Sequence, residues 1–189
     1  MGARAGPAGQ GLTVTSLPPP RPDGSGTPYR VAVVCLGNIC RSPMADVVLT
    51  DRVTDAGLER VVEVVSAGTG NWHVGNPMDR RAASLLTAHG YDASRHSAQQ
   101  FEKTWFTEAD VVLAMDADNL ADLEALRPVD HDQGRLLMFR DFDPRSGGDH
   151  DREVPDPYYG GDDGFEAVLA MVERTSDAIV ADLIRVVGG

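Results

Sequence analysis

Cysteine is scarce in this chain, with two residues in 189, Cys35 and Cys40. A pair so close together cannot staple a fold as the bridges of small secreted domains do, so the thiols pose a question of reactivity rather than of scaffolding. Positive charge is also short: 17 Lys and Arg stand against 29 Asp and Glu, a formal net charge of -12. That balance argues against a broad nucleic-acid surface, because such binding rests on neutralising phosphates with Lys and Arg. Any anion site must therefore be local. No apolar run approaches the length needed to cross a bilayer, and the N-terminal stretch lacks the continuous apolar core of a secretory signal. The expectation is a cytoplasmic protein with no membrane partner and no nucleic-acid partner.

The length suits one well-buried α/β domain. Residues 1–28 hold Pro18, Pro19, Pro20, Pro22 and Pro28 among Gly and Ser without an apolar period, and read as a flexible Pro/Gly-rich tail. Residues 29–189 read as the single domain. Y-R-V-A-V-V from Tyr29 to Val34 is a β-branched run of buried-strand type, and Ser42 and Pro43 look like the cap and first residue of a helix reaching Gly57. A strand near Val61 to Ser66, a Gly-rich loop and a helix from Asp79 to His89 repeat the unit. Asp110 to Met115 is a third strand, Asp116 caps the helix carrying Leu120 and Leu123, and Leu136 to Phe139 is a fourth strand. A last helix from about Gly164 places Phe165, Val168, Leu169, Val172, Ile179 and Leu183 on one stripe. Alternating strands and helices predict a doubly wound parallel sheet, whose ligands sit at the carboxyl ends of the strands.

The chemistry concentrates at the end of the first strand. Cys35 follows it directly, Arg41 lies six positions on, and a helix starts at once, so Leu36, Gly37, Asn38, Ile39 and Cys40 form a tight loop whose N–H groups can converge on an anion. Gly37 and Asn38 are the residue types that most readily take positive φ. Amide dipoles, the helix N-terminus and Arg41 all favour a thiolate at Cys35 over a thiol. Arg41 can hold two phosphate oxygens bidentately, and Ser42 is placed to turn its hydroxyl toward the sulfur. No metal or other cofactor is implied, since no His or Cys pair completes a metal-ligand spacing.

Ester cleavage through such a thiolate needs an acid for the leaving oxygen and then a base for water, and one carboxyl group can serve both steps. V-P-D-P-Y-Y-G holds Asp156 between two prolines that restrict the backbone. Tyr158 and Tyr159 are placed to line a pocket mouth, with Trp72 as the opposite wall.

The string C-L-G-N-I-C-R-S-P from Cys35 to Pro43, after its β-branched strand, resembles the signature of the low-molecular-weight protein tyrosine phosphatases, and the likeness runs from Tyr29 to the final helix. The resemblance implies a flavodoxin-like, three-layer α/β fold with a four-stranded parallel sheet. It implies hydrolysis of phosphotyrosine in protein substrates, and of aryl phosphates, through a phosphocysteine on Cys35, with Asp156 as general acid and then base. It also implies that His96, in R-H-S-A-Q-Q, supports Asn38, while Gln99 stands where the family more usually has Arg. Family members with two such cysteines are thought to be protected from over-oxidation by a disulfide, here Cys35 with Cys40. Arsenate reductases of the same fold use further cysteines that this chain lacks. Arginine phosphatases carry a small hydroxyl residue where Ile39 stands and lack the tyrosine pair. A silent phosphotyrosine-binding module would have no need of nucleophile and acid together. Oligomeric state is not encoded in these features, and a monomer is the default expectation.

Overall fold

The computed structural model describes residues 15–22, 28–147 and 151–188. Its sheet consists of β1 (Tyr29–Cys35), β2 (Val62–Gly68), β3 (Val111–Ala114) and β4 (Leu136–Met138), all parallel in the order β2-β1-β3-β4. Around it lie α1 (Arg41–Asp55), α2 (Arg80–Ala88), the single turn α3 (Trp105–Glu108), α4 (Ala117–Leu126) and α5 (Asp162–Val187). The four-stranded, doubly wound expectation holds. The strand order reverses between β1 and β3, which opens a crevice at the carboxyl ends of these two strands.

Alternation along β1 builds the two layers, since successive side chains of a strand point to opposite faces. Val31, Val33 and Cys35 join Met44 and Val48 of α1 and Val168 and Val172 of α5 in one core. Ala32 and Val34 face the other, with Phe106, Leu123 and the small Ala67 and Ala114. β1 is buried on both sides, as its unbroken apolar run requires.

Two expectations need correction. α1 begins at Arg41, with Cys40 at the cap position, so Ser42 is not a cap; its hydroxyl is used inside the site. The expected flexible tail over 1–28 does not extend to residues 15–22, which are bound to the domain. Leu17 is 5% exposed and its N–H donates to Asp182 Oδ2 at 2.6 Å. Tyr29 Oη donates to the Pro18 carbonyl at 2.8 Å, Arg135 Nη1 to that of Pro19 at 3.0 Å, and the Arg21 N–H to Asp110 Oδ1 at 2.8 Å. Composition hid this because the anchor is one Leu side chain, the Arg21 guanidinium on the Ala109 and Phe106 carbonyls, and backbone groups. The remaining residues of 1–28 that the expectation covered, apart from Pro28, lie outside the described ones.

Candidate active site

Cys35 ends β1 and the chain then turns through residues 36–40 into α1. Four carbonyls of this turn are bonded outward: Cys35 O accepts from the Thr69 N–H at 2.9 Å, Leu36 O from Gly70 at 2.9 Å, Ile39 O from Asp79 at 2.8 Å, and Asn38 O from His96 Nε2 at 2.7 Å. Each peptide is a trans plane with C=O and N–H pointing opposite ways. Outward carbonyls therefore turn the N–H groups of Leu36, Gly37, Ile39 and Cys40 into the loop, and the Asn38 N–H donates to Cys35 Sγ at 3.3 Å. The result is a cup of amide dipoles beside a sulfur, at the N-terminus of a 15-residue helix.

Asn38 makes the turn possible. It has φ 53°, the only positive value at a described non-glycine residue, and its side chain locks it there: Nδ2 donates to Ser42 Oγ at 2.9 Å and Oδ1 accepts the Gln99 N–H at 2.9 Å. Gly37, expected to share the positive φ, does not. Its hydrogen side chain answers a packing need, because a Cβ there would lie 3.0 Å from His73 Cδ2. Gly68 is required for the same reason, since its Cβ would meet Leu36 O at 2.7 Å and Asn38 N at 3.1 Å. The end of β2 thus abuts the back of the loop.

Ser42 Oγ lies 3.0 Å from Cys35 Sγ and 3.1 Å from the Ala67 carbonyl. With Asn38 Nδ2 occupying a lone pair, its single proton serves either the sulfur or the carbonyl, and a thiolate is the stronger claimant. His96 must carry its proton on Nε2, because a carbonyl can only accept; burial holds this imidazole below the usual histidine range against the opposing effect of that bond. Gln99 contacts Asn38 through its backbone, and its Nε2 donates to the Ser66 carbonyl at 3.0 Å.

Arg41 is buried and held at both terminal nitrogens. Nη1 donates to Asp116 Oδ2 and, at 3.1 Å, to the Val154 carbonyl, and Nη2 donates to Asp156 Oδ2 at 3.1 Å. Burial alone would push its pKa down, but the sulfur of Cys35 and the two carboxylates outweigh it and hold the guanidinium above its ordinary value. Asp116 was read from the sequence only as a helix cap. It is that, with Oδ1 accepting the Asn119 N–H at 2.7 Å, while its other oxygen orients Arg41. No sequence signal separates the second role from the first.

Asp156 arrives on a braced loop. Val154 N–H donates to the Met115 carbonyl at 2.7 Å, Arg140 Nη1 holds Asp151 Oδ1 at 2.7 Å and the Glu153 carbonyl at 2.8 Å, and Asp156 Oδ1 accepts the Tyr158 N–H at 3.0 Å. Arg81, paired with Asp79, donates to the Tyr158 carbonyl at 3.1 Å and sits over the Tyr158 ring at 5.7 Å. Neither arginine was singled out in the sequence.

Cys35, Arg41, Asp156, Trp72, Tyr158 and Tyr159 share one pocket of about 230 Å³, with Cys40 and His73 also on its wall. Trp72 lies against Gly70 and is 62% exposed, and Tyr159 is 92% exposed and edge-on to Tyr158. His73 had carried no pattern in the sequence. Cys40 is buried, and desolvation followed by the Asp79 charge pushes its thiol up to about 12. Both cysteines are free. Among the described residues no cluster of three or more His, Cys, Asp or Glu could hold a metal ion, and no helix is long and apolar enough to cross a membrane.

Comparison with known proteins points one way. The family model described as low molecular weight phosphotyrosine protein phosphatase matches residues 30–187. A low molecular weight protein-tyrosine-phosphatase of Streptomyces coelicolor is 49% identical over 162 residues, covering 85% of this chain and 97% of the relative. The low molecular weight protein-tyrosine phosphatase A of Mycobacterium tuberculosis is 45% identical, with 77% and 86% covered. Among solved structures, YfkJ from Bacillus subtilis superposes with a TM-score of 0.77 at 31% identity, covering 86% of this chain and 98% of the other. A protein tyrosine phosphatase of Entamoeba histolytica gives 0.75 at 31%, with 82% and 97% covered.

Proposed function

Given that the chain belongs to the low molecular weight phosphotyrosine protein phosphatase family and is a protein-tyrosine phosphatase, we propose that Cys35 is its nucleophile, Arg41 its phosphate-binding cation and Asp156 its general acid and then base. The observation that carries this reading is the amide cup around Cys35 Sγ with Arg41 and Asp156 on the same small pocket.

Cys35 Sγ attacks phosphorus in line with the ester oxygen. The S–P bond forms as the P–O bond breaks, and Asp156 gives its proton to the departing phenolate. The inward N–H groups of residues 36–40 and the guanidinium of Arg41 take the charge spreading over the three equatorial oxygens. Asp156, now a carboxylate, removes a proton from water as that water attacks phosphorus; the S–P bond breaks and inorganic phosphate leaves. Ser42 donates to the sulfur whenever it is a thiolate, at the start and at the end of the cycle. Asn38 and His96 hold the loop, while Trp72, Tyr158 and Tyr159 flank the aromatic ring of the substrate.

We further infer action in the cytoplasm, as a monomer, on phosphotyrosine-bearing proteins, with neither nucleic acid nor membrane as partner. A catalytic thiol needs a reducing compartment, and a net charge of -12 disfavours polyanions.

The deciding assay measures wild type and Cys35→Ser with para-nitrophenyl phosphate and a phosphotyrosine peptide, with chelator and reductant present. Turnover that vanishes in the variant is the expected result. Turnover surviving in Cys35→Ser, or absent from folded wild type, overturns the assignment.

A further inference from the structure

Behind the phosphate loop, on the far side of Asn38 from the catalytic pocket, lies a second cavity of about 510 Å³. That is more than twice the catalytic pocket's volume and within the range of about 300–1,000 Å³ typical of small-molecule sites. It contains a recessed carboxylate that the mechanism does not use. Asp46, on α1, accepts from Ser66 Oγ at 2.8 Å and from Thr50 Oγ1 at 3.3 Å. Both partners are neutral hydroxyls, and no described Arg, Lys or His pairs with it. Burial raises its pKa to about 6, against the lowering effect of the two hydroxyls. At neutral pH the cavity therefore holds a carboxylate with no countercharge, which is a costly arrangement for a partly desolvated ion.

The other charged groups facing the cavity do not supply that countercharge. Asp51 is paired with Arg52, and Asp92 and Arg95 pair with each other at 3.7 Å on the rim. The remaining lining is rich in acceptors. His96 spends its one proton on Asn38 O, which leaves Nδ1 an acceptor, and Gln99 gives one N–H of its Nε2 to Ser66 O, with Oε1 as its acceptor. Val47 and Val64 add apolar wall. A carboxylate and two neutral acceptors match three N–H donors on one cation, and the valines match a short hydrocarbon stem. A divalent metal is the poorer fit, since no group of three His, Cys, Asp or Glu ligands gathers there.

We propose that this cavity is a binding site for a primary alkylammonium group, seated on Asp46 and contacted by His96 and Gln99. The occupant would touch the two residues that grip Asn38, so it sits one hydrogen bond away from the phosphate loop without entering the catalytic pocket.

The test is a titration of the full chain with n-butylammonium chloride, following the amide resonances of Ser66, His96 and Gln99. Tetramethylammonium chloride, equal in charge but without N–H donors, and sodium chloride serve as matched controls. Saturable shifts with butylammonium alone, retained under saturating inorganic phosphate, are expected. They should disappear in Asp46→Asn, which keeps the shape of the site, and in Thr50→Lys, which brings a tethered ammonium to the same carboxylate from an exposed position. Shifts that rise linearly and equally for all three salts, that survive in both variants, or that are displaced by phosphate overturn the proposal.

Discussion

Arg41 Nη2 donates to Asp156 Oδ2 at 3.1 Å, so the proposed phosphate-binding cation and the proposed acid are hydrogen-bonded to each other. On the proposed mechanism a substrate phosphate would compete with Asp156 for Nη2, and its arrival would free the carboxyl group to address the leaving oxygen. Asp116 holds the other terminal nitrogen, Nη1.

Asp116→Asn separates the two duties of that residue. The amide retains an oxygen for the cap on α4 and loses the charge that orients Arg41. Hydrogen bonds to charged groups contribute about 1.5–3 kcal/mol, so kcat/KM should fall about 10- to 100-fold, mostly in kcat, with little change in Tm. Steady-state kinetics beside a thermal melt check this; an unaltered kcat would remove Asp116 from the positioning of Arg41.

Asp156→Asn should slow phenyl phosphate hydrolysis by about 10²–10⁴-fold, the usual scale of general acid catalysis, and para-nitrophenyl phosphate much less, because its leaving group scarcely needs a proton. Inhibition by inorganic phosphate should persist or strengthen, since a neutral amide competes less well for Arg41. Equal losses on both esters would exclude Asp156 as the acid.

Mild peroxide should convert Cys35 to a sulfenic acid, which condenses with the Cys40 thiol to a disulfide and water. The high pKa of Cys40 makes this slow, because little thiolate is present. Peptide mass mapping should find the Cys35–Cys40 link in wild type, and Cys40→Ser should instead accumulate Cys35 sulfinic acid and fail to recover with reductant. Equal recovery of both proteins would dismiss the protective role.

Asp46 carries a pH signature of its own. Its folded pKa, near 6, lies above the unfolded value near 3.8, so the native state binds the extra proton between these values and stability falls as pH rises through that window. Removing the charge removes the effect. Asp46→Asn should be more stable than wild type at pH 7.5, by at most about 3 kcal/mol for a two-unit shift, with the difference closing near pH 4. Urea melts at the two pH values measure it, and a constant difference would remove the uncompensated carboxylate from the account.

Leu17→Ala should cost about 2–3 kcal/mol, as loss of a buried leucine commonly does, while kcat changes little because the 15–22 segment docks far from Cys35. If the melt is unchanged, that segment is not part of the cooperative unit.

The sequence made the loop legible because its chemistry is local. Cys35, Asn38, Arg41 and Ser42 lie within one turn and the start of one helix, and the order of strand, turn and helix is itself the proposed phosphate cradle. Asp156 was legible for a similar reason, its two prolines marking a constrained carboxyl group. The sheet followed from alternating patterns, with boundaries shifted by a residue or two, and α3 was missed because a single turn carries no period.

What the sequence alone determined is therefore the parallel sheet and the set of groups proposed to react at its end, both written in short-range spacing. Tertiary structure decided how they are held: Asp116 on Arg41, Gly68 against the loop, Arg81 and Arg140 on the Asp156 segment, Leu17 on the core, and Asp46 without a countercharge. Each of these joins residues far apart in the chain, and the meaning of a charge or a glycine there depends on what the fold brings opposite it, which spacing along the chain does not encode.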